Sequence, residues 1–267
     1  MDTKSTVKIA AVGDLHCTRQ STGIYQKIFA RVNEDADILV LCGDLTDYGT
    51  AEEAQVLIRE LNSVVRIPIV CVLGNHDYES GTPETVKQIL TEGGVKVLDG
   101  ETCEFYGVGF AGAKGYIGGF GRYSLGAWGE EGIKNIVKDA QSEVMKVESA
   151  LARLRTTHKV VLLHYSPIRA TVEGEPVEIF PFLGNSRLEE PLLRHHASVV
   201  FHGHAHRGTL EGALMSGRPV YNVALPLLQS CMPDKPAYRI FDLAVSDEIT
   251  HIVGEEIDAL HGSSLRL

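Results

Sequence analysis

Five short runs in this chain place imidazole, carboxylate or amide side chains directly after an apolar stretch. They are Asp14-Leu15-His16, Gly43-Asp44, Gly74-Asn75-His76-Asp77, His164 and Gly203-His204-Ala205-His206. Imidazole nitrogens and carboxylate oxygens together suit divalent manganese, iron or zinc. Asp14 and His16 are two residues apart, so a tight turn can aim both at one ion. Asp44 stands alone at its tip and suits a ligand shared by two ions. Asn75 adds a neutral oxygen, while His164, His204 and His206 add nitrogens. His204 and His206 alternate along an extended segment and so face one side, whereas His202 points the other way and reads as structural. Two such ions about 3.5–4 Å apart hold a bridging hydroxide and clamp phosphoryl oxygens for in-line attack. Phosphoester hydrolysis is therefore the chemistry this inventory predicts.

The segments that must position these residues are legible as well. Residues 7–13, 37–42, 68–73, 159–163 and 198–201 are apolar, β-branched runs with turn residues around them, which predicts five buried strands. Residues 24–33 have helical spacing. Thr50 with Glu53 three residues on is a capping-box pattern that opens a helix to about Val64. Thr82 or Thr85 opens another to about Glu92, and residues 131–156 and 187–196 read as further helices. This β-α-β-α rhythm predicts parallel strands with crossover helices and a ligand site outside the carboxyl ends of the strands. Residues 95–108 hold one or two short strands, and 219–224, 238–245 and 249–253 alternate in a way that suits a second sheet. Residues 107–132 carry ten glycines interleaved with Phe110, Tyr116, Phe120, Tyr123 and Trp128, which predicts a loop able to pass close to a ligand. Residues 171–184 form a second loop on the other wall. With no repeat or linker, the expectation is one domain over residues 1–267 with an insert at about 107–132.

Composition narrows the partners. A formal charge of −10 argues against broad nucleic-acid binding, which needs a basic face. The five cysteines are odd in number and lack a C-x-x-C pair, so they read as neither a disulfide framework nor a zinc ribbon. No apolar run approaches a membrane span and no secretory leader opens the chain. The expectation is a cytoplasmic protein acting on a small phosphoester, away from membranes, with a homo-oligomer left open.

Taken in order, the five motifs resemble those of the calcineurin-like metallophosphoesterases, over residues 14–206. The resemblance implies a four-layer α-β-β-α sandwich of two mixed sheets flanked by helices. It puts Asp14, His16, Asp44 and His206 on one metal, and Asp44, Asn75, His164 and His204 on the other. It makes His76 the general acid that protonates the leaving oxygen, with Asp77 placed to orient it. Protein phosphatases of this superfamily carry a phosphate-clamping Arg after the second motif, where this chain has Tyr48, and a Gly after the first motif's His, where it has Cys17. The pattern is closer to the bacterial branch that includes class III cyclic-nucleotide phosphodiesterases. A phosphodiesterase is thus expected, with a phosphomonoesterase or a non-catalytic metal-binding protein of the same fold as alternatives. A mononuclear zinc hydrolase would leave several ligands unexplained. Arg207, Arg122 and Tyr123 are the candidate substrate contacts, with Arg19 and Tyr165 behind them.

Overall fold

Apolar residues on alternate sides of a strand must be covered on both faces, and here two sheets share that task. A computed structural model describes residues 4–245. The first sheet contains β1 (Thr6–Val12), β2 (Ile38–Cys42), β3 (Ile69–Val72) and β4 (Lys96–Val97), all parallel, with β11 (Arg239–Ala244) antiparallel on the free edge of β1. The second has the order β5 (Thr102–Phe105), β6 (Val108–Gly112), β7 (His158–Leu162), β8 (Val199–His202), β10 (Pro219–Asn222), β9 (Glu211–Ala213), with antiparallel pairs only at its two edges.

Period-two alternation decides which layer each side chain joins. In the second sheet Val108, Phe110, Val160, Leu162, Val199 and Phe201 join the core between the sheets. Their neighbours Ala111, Val161, Leu163 and Val200 face outward, against Val147, Ala150 and Leu151 of α5 (Glu131–Arg153) and Leu192 of α7 (Glu189–Arg194). On the outer face of the first sheet lie α1 (Ile24–Ile28), α2 (Val32–Asp35), α3 (Ala51–Val64) and α4 (Pro83–Glu92). The short α6 (Phe180–Leu183) and α8 (Leu225–Cys231) sit in connections. The four-layer α-β-β-α arrangement of two mixed sheets is as predicted. Thr50 caps α3 through the predicted capping box with Glu53.

Five features depart from the sequence reading. Residues 24–33 are two helices, because the chain breaks at Phe29, whose fully buried ring stacks on Tyr238; the apolar spacing continues across the break and hides it. The glycine-rich stretch begins with β6, fully buried in the second sheet, because a strand covered on both faces tolerates glycine where neighbours press close. Residues 238–245 form β11 of the first sheet; alternation marks a half-exposed edge strand without saying which edge. β9 and α8 carry too weak a pattern to be predicted. The strand expected at 249–253 lies outside the described residues.

Candidate metal centre

All the parallel strands end at one edge, and the loops leaving them interlock there. The Asp14 amide donates to Gly43 O (2.9 Å) and the His16 amide to Asp44 O (2.9 Å). The His164 ring donates from Nδ1 to Cys42 O (3.0 Å), which ties the second sheet to the first. Asp14, His16, Asp44 and His204 all have positive φ (56°, 48°, 46° and 70°). Four non-glycine residues held left-handed at one edge are strained, and such strain persists where surrounding contacts over-determine it. The glycines between them are there for space. A Cβ on Gly74 would overlap the Asp44 amide nitrogen and Oδ1, and one on Gly203 would overlap Asp14 Oδ2. Gly74→Ala should lower stability by about 1–3 kcal/mol, the usual cost of overpacking, and displace Asp44. Thermal unfolding together with metal counting checks both effects; a variant with unchanged melting and metal content would contradict the packing argument.

The predicted residues gather as two groups. Asp14, His16 and His206 present ligand atoms within 4.8 Å of one another, as do Asp44, His164 and His204. Asn75 joins the second group, its Oδ1 lying 2.9 Å from His164 Nε2. Asp44 stands between the groups, with Oδ1 3.3 Å from His164 Nε2 and Oδ2 3.8 Å from His16 Nε2. A histidine nitrogen fixed from behind sets the tautomer and leaves the other nitrogen for a ligand. His16 Nδ1 faces Asp47 Oδ1 (3.2 Å), and its Nε2 is buried with no hydrogen-bond partner. His204 Nε2 donates to Phe182 O (3.0 Å).

Electrostatics favour a cation here. Burial would raise the Asp44 carboxyl, but the His164 ring and the His76 amide (2.8 Å) hold it well below the usual carboxylate range. Burial would lower His164, yet the Asp44 charge outweighs it and raises the imidazole to about 9. The pair thus holds a positive charge between an imidazole nitrogen, a carboxylate and an amide oxygen, the place where a divalent ion substitutes for a proton. Burial, with the His164 charge adding to it, lowers the His204 pKa to about 4. The orphaned His16 nitrogen and this donor set fit a pair of divalent ions, with Asp14, His16 and His206 on one side, His164, His204 and Asn75 on the other, and Asp44 common to both.

His202 turns the other way, as predicted. Its Nδ1 donates to Gly203 O and its Nε2 accepts from Thr171 Oγ1, both at 2.8 Å. Burial pushes its pKa down to about 4. An unfolded chain binds this proton near pH 6.5, so His202 stabilises the fold fully above that pH and progressively less as pH falls toward 4. Between pH 7 and 5 the loss is about 2 kcal/mol. Urea unfolding of metal-free wild type and His202→Asn at both pH values should show it, as a fall in stability from pH 7 to 5 that is smaller by about that amount in the variant.

Two assignments change. Asp77 does not reach the His76 ring. Fully buried, it accepts from the Leu45, Thr46 and Gly74 amides (3.2, 2.8 and 2.8 Å) and from Thr46 Oγ1 (2.6 Å). Burial and the Asp44 charge raise its pKa, against those donors, and its work is to staple the second and third motif loops together. The His76 ring is held instead by Asp47, whose backbone oxygen accepts from Nδ1 (2.7 Å) and whose Oδ1 lies 3.9 Å away. Sequence reasoning misses Asp47, although a second carboxylate three residues after Asp44 is the available signal. Arg122 and Tyr123 stack on each other in an exposed loop, and the Arg207 amide donates to Glu175 (2.7 Å); the structure records no contact from these three to either ligand group. Tyr165 does border the centre, its ring 4.5 Å from that of His204.

Paired mixed sheets with imidazoles and carboxylates gathered at their strand tips define a metal-dependent hydrolase. The sequence is specific about which: a sequence model of the calcineurin-like phosphoesterases matches residues 7–208, and the chain belongs to that family, whose members use divalent metal ions. Among solved structures, the phosphopantetheinyl hydrolase of Mycobacterium tuberculosis is similar at 15% identity, covering 89% of this chain and 96% of that one, with a TM-score of 0.65. The TT1561 protein of Thermus thermophilus is similar at 14% identity, covering 81% and 88%, with a TM-score of 0.51. At these identities the likeness is one of fold. No curated protein matches the sequence. Among the described residues no helix is long and apolar enough to cross a membrane.

Proposed function

We propose that this protein is a dinuclear metal-dependent phosphoesterase, with small phosphodiesters as its preferred substrates. The observation that carries the reading is Asp44, whose two oxygens face histidines of two separate ligand groups. Bound there, two divalent ions supply positive charge for the phosphoryl oxygens and an acidified water as nucleophile.

The chain's own groups do the rest. Asp47 O accepts only, so His76 Nδ1 carries a proton and Nε2 is the ring nitrogen left for the leaving oxygen. The His76 side chain is 40% exposed, which leaves it open to a substrate. Its amide, donating to Asp44 Oδ1, links the acid's position to the ligand between the two groups. The preference for diesters follows from charge. A monoester dianion calls for an extra cationic clamp, and Tyr48, 60% exposed, stands where an arginine would supply one. A diester carries one charge fewer, as in the cyclic-nucleotide phosphodiesterases that the motifs resemble.

The test is hydrolysis of bis-p-nitrophenyl phosphate against p-nitrophenyl phosphate by protein stripped and reloaded with manganese, with metal counted on the same sample. Two ions per chain and dominant, chelator-sensitive diesterase activity are expected. Dominant monoesterase activity would overturn the diester preference, and a single ion the dinuclear reading.

A further inference from the structure

β7 and β8 of the second sheet lead into His164 and into His204 and His206 at the centre, and β6, next to β7, leads into Lys114 beside it. Its carbonyl accepts from the His164 and Tyr165 amides (3.0 and 3.1 Å), so the lysine is fixed to the loop that carries His164. The side chain turns into a cavity of about 500 Å³ beside the metal centre, with Asn75 as their shared wall and Tyr78, Tyr116 and Tyr165 around it. The Lys114 amine lies 5.3, 4.6 and 5.2 Å from the centroids of those three rings.

Lys114 is 9% exposed. Its amine donates to Gly115 O (3.0 Å), and among the described residues no carboxylate pairs with it. Two of the other charges lining the cavity, Glu143 and Lys146, are already committed. Glu143 accepts from the Gly115 amide and from Lys146, and Lys146 also donates to Asp99. Asp139 sits exposed on α5 at the rim. The three phenol hydroxyls hydrogen-bond to no other described residue. Buried ammonium groups are costly without a partner. The cavity's carboxylates, Glu143 and Asp139, thus make no ion pair with Lys114, and its buried ammonium and the three hydroxyls leave a place for an anion.

We propose that this cavity is the subsite for the part of the substrate beyond the scissile phosphoryl group, and that Lys114 with the tyrosine hydroxyls selects a substrate whose alcohol carries a second anionic group, a phosphate or a carboxylate. The inference rests on the phosphoesterase reading and adds the substrate class. Tyr165, between Lys114 and His204, and Asn75, between the cavity and His164, set the anion one residue's reach from the reacting phosphorus.

The test compares diesters of p-nitrophenol whose second alcohol is ethanol, glycolate or 2-phosphoethanol, with manganese-loaded protein. A charge-assisted contact predicts that one anionic tail is favoured over ethyl by about tenfold or more in kcat/KM. The better of glycolate and 2-phosphoethanol tells carboxylate from phosphate. In Lys114→Met, which keeps the stem's volume, the ratio should fall to about 1–2. Tyr116→Phe, which removes one hydroxyl and keeps the ring, should lower it too, and serves if Lys114→Met does not fold. An ethyl ester hydrolysed as well as both anionic ones, or a preference that survives the substitutions, overturns the inference while leaving the phosphoesterase reading intact. If none of the esters is hydrolysed, that reading fails instead. The cavity is then decided by titrating inorganic phosphate into the full chain held metal-free, read by tyrosine fluorescence. Saturable binding that weakens about tenfold or more in either variant supports the anion site, and equal binding overturns it.

Discussion

Asp44→Asn should leave the purified, manganese-loaded chain with fewer than two ions and with activity reduced by more than the roughly 10–100-fold that loss of an outer-shell partner costs. The side chain is nearly fully buried and faces a histidine of each ligand group. An amide keeps its shape but removes the negative charge, and turns one of its two acceptors into a donor. Whichever way the amide sits, an N–H confronts either His16 Nε2 or the His164–Asn75 pair. The backbone bond from the His76 amide holds the side chain in place and limits relaxation. Inductively coupled plasma spectrometry on the dialysed protein, beside kinetics on a diester, measures both effects. A fully loaded Asp44→Asn protein would show that the two groups bind their ions independently, and would remove Asp44 from the shared position.

What can be read beforehand follows from what acts locally. Strand tips ending in Gly, Asp, Asn or His announce themselves because glycine and short polar residues are needed where a strand stops and its loop presses on another. That is why Gly74 and Gly203, which leave no room for a Cβ, stand out with the ligands they flank. The capping box at Thr50 is also local, and it is legible for that reason. Asp77 is misassigned from sequence because adjacency suggests a partnership with His76. The turn His76–Tyr78 instead points the two side chains apart, sending Asp77 into the interior and the His76 ring toward Asp47. Lys114 escapes notice for the converse reason. Nothing in Ala113-Lys114-Gly115 marks chemistry until β6 is known to lie next to β7, which places the lysine beside His164. The edge position of β11 is hidden in the same way, since pairing partners distant in sequence leave no periodic trace.

His76→Ala should keep both ions and lose rate in proportion to how badly the leaving group needs a proton. With an alkoxide leaving group, removal of a general acid costs about 10²–10⁴-fold in kcat. With p-nitrophenolate, which departs as a stable anion, the loss should be much smaller. The geometry behind this is the Asp47 backbone oxygen, which holds Nδ1 at 2.7 Å and keeps the ring in one orientation. His16, edge-on to it at 4.5 Å between centroids, bears on the same side of the centre. The His76 amide bond to Asp44 survives in the alanine variant, so the ligand set is left in place and metal counting should return the wild-type value. A plot of log kcat against leaving-group pKa should therefore steepen in His76→Ala. Asp47→Ala keeps the backbone oxygen that holds the His76 ring and removes the carboxylate beside His16 Nδ1, so it should lower metal affinity with little change in that slope, and that difference separates a residue that donates the proton from one that positions a ligand. Parallel plots for wild type and His76→Ala would mean that His76 binds the phosphoryl group without protonating the leaving oxygen.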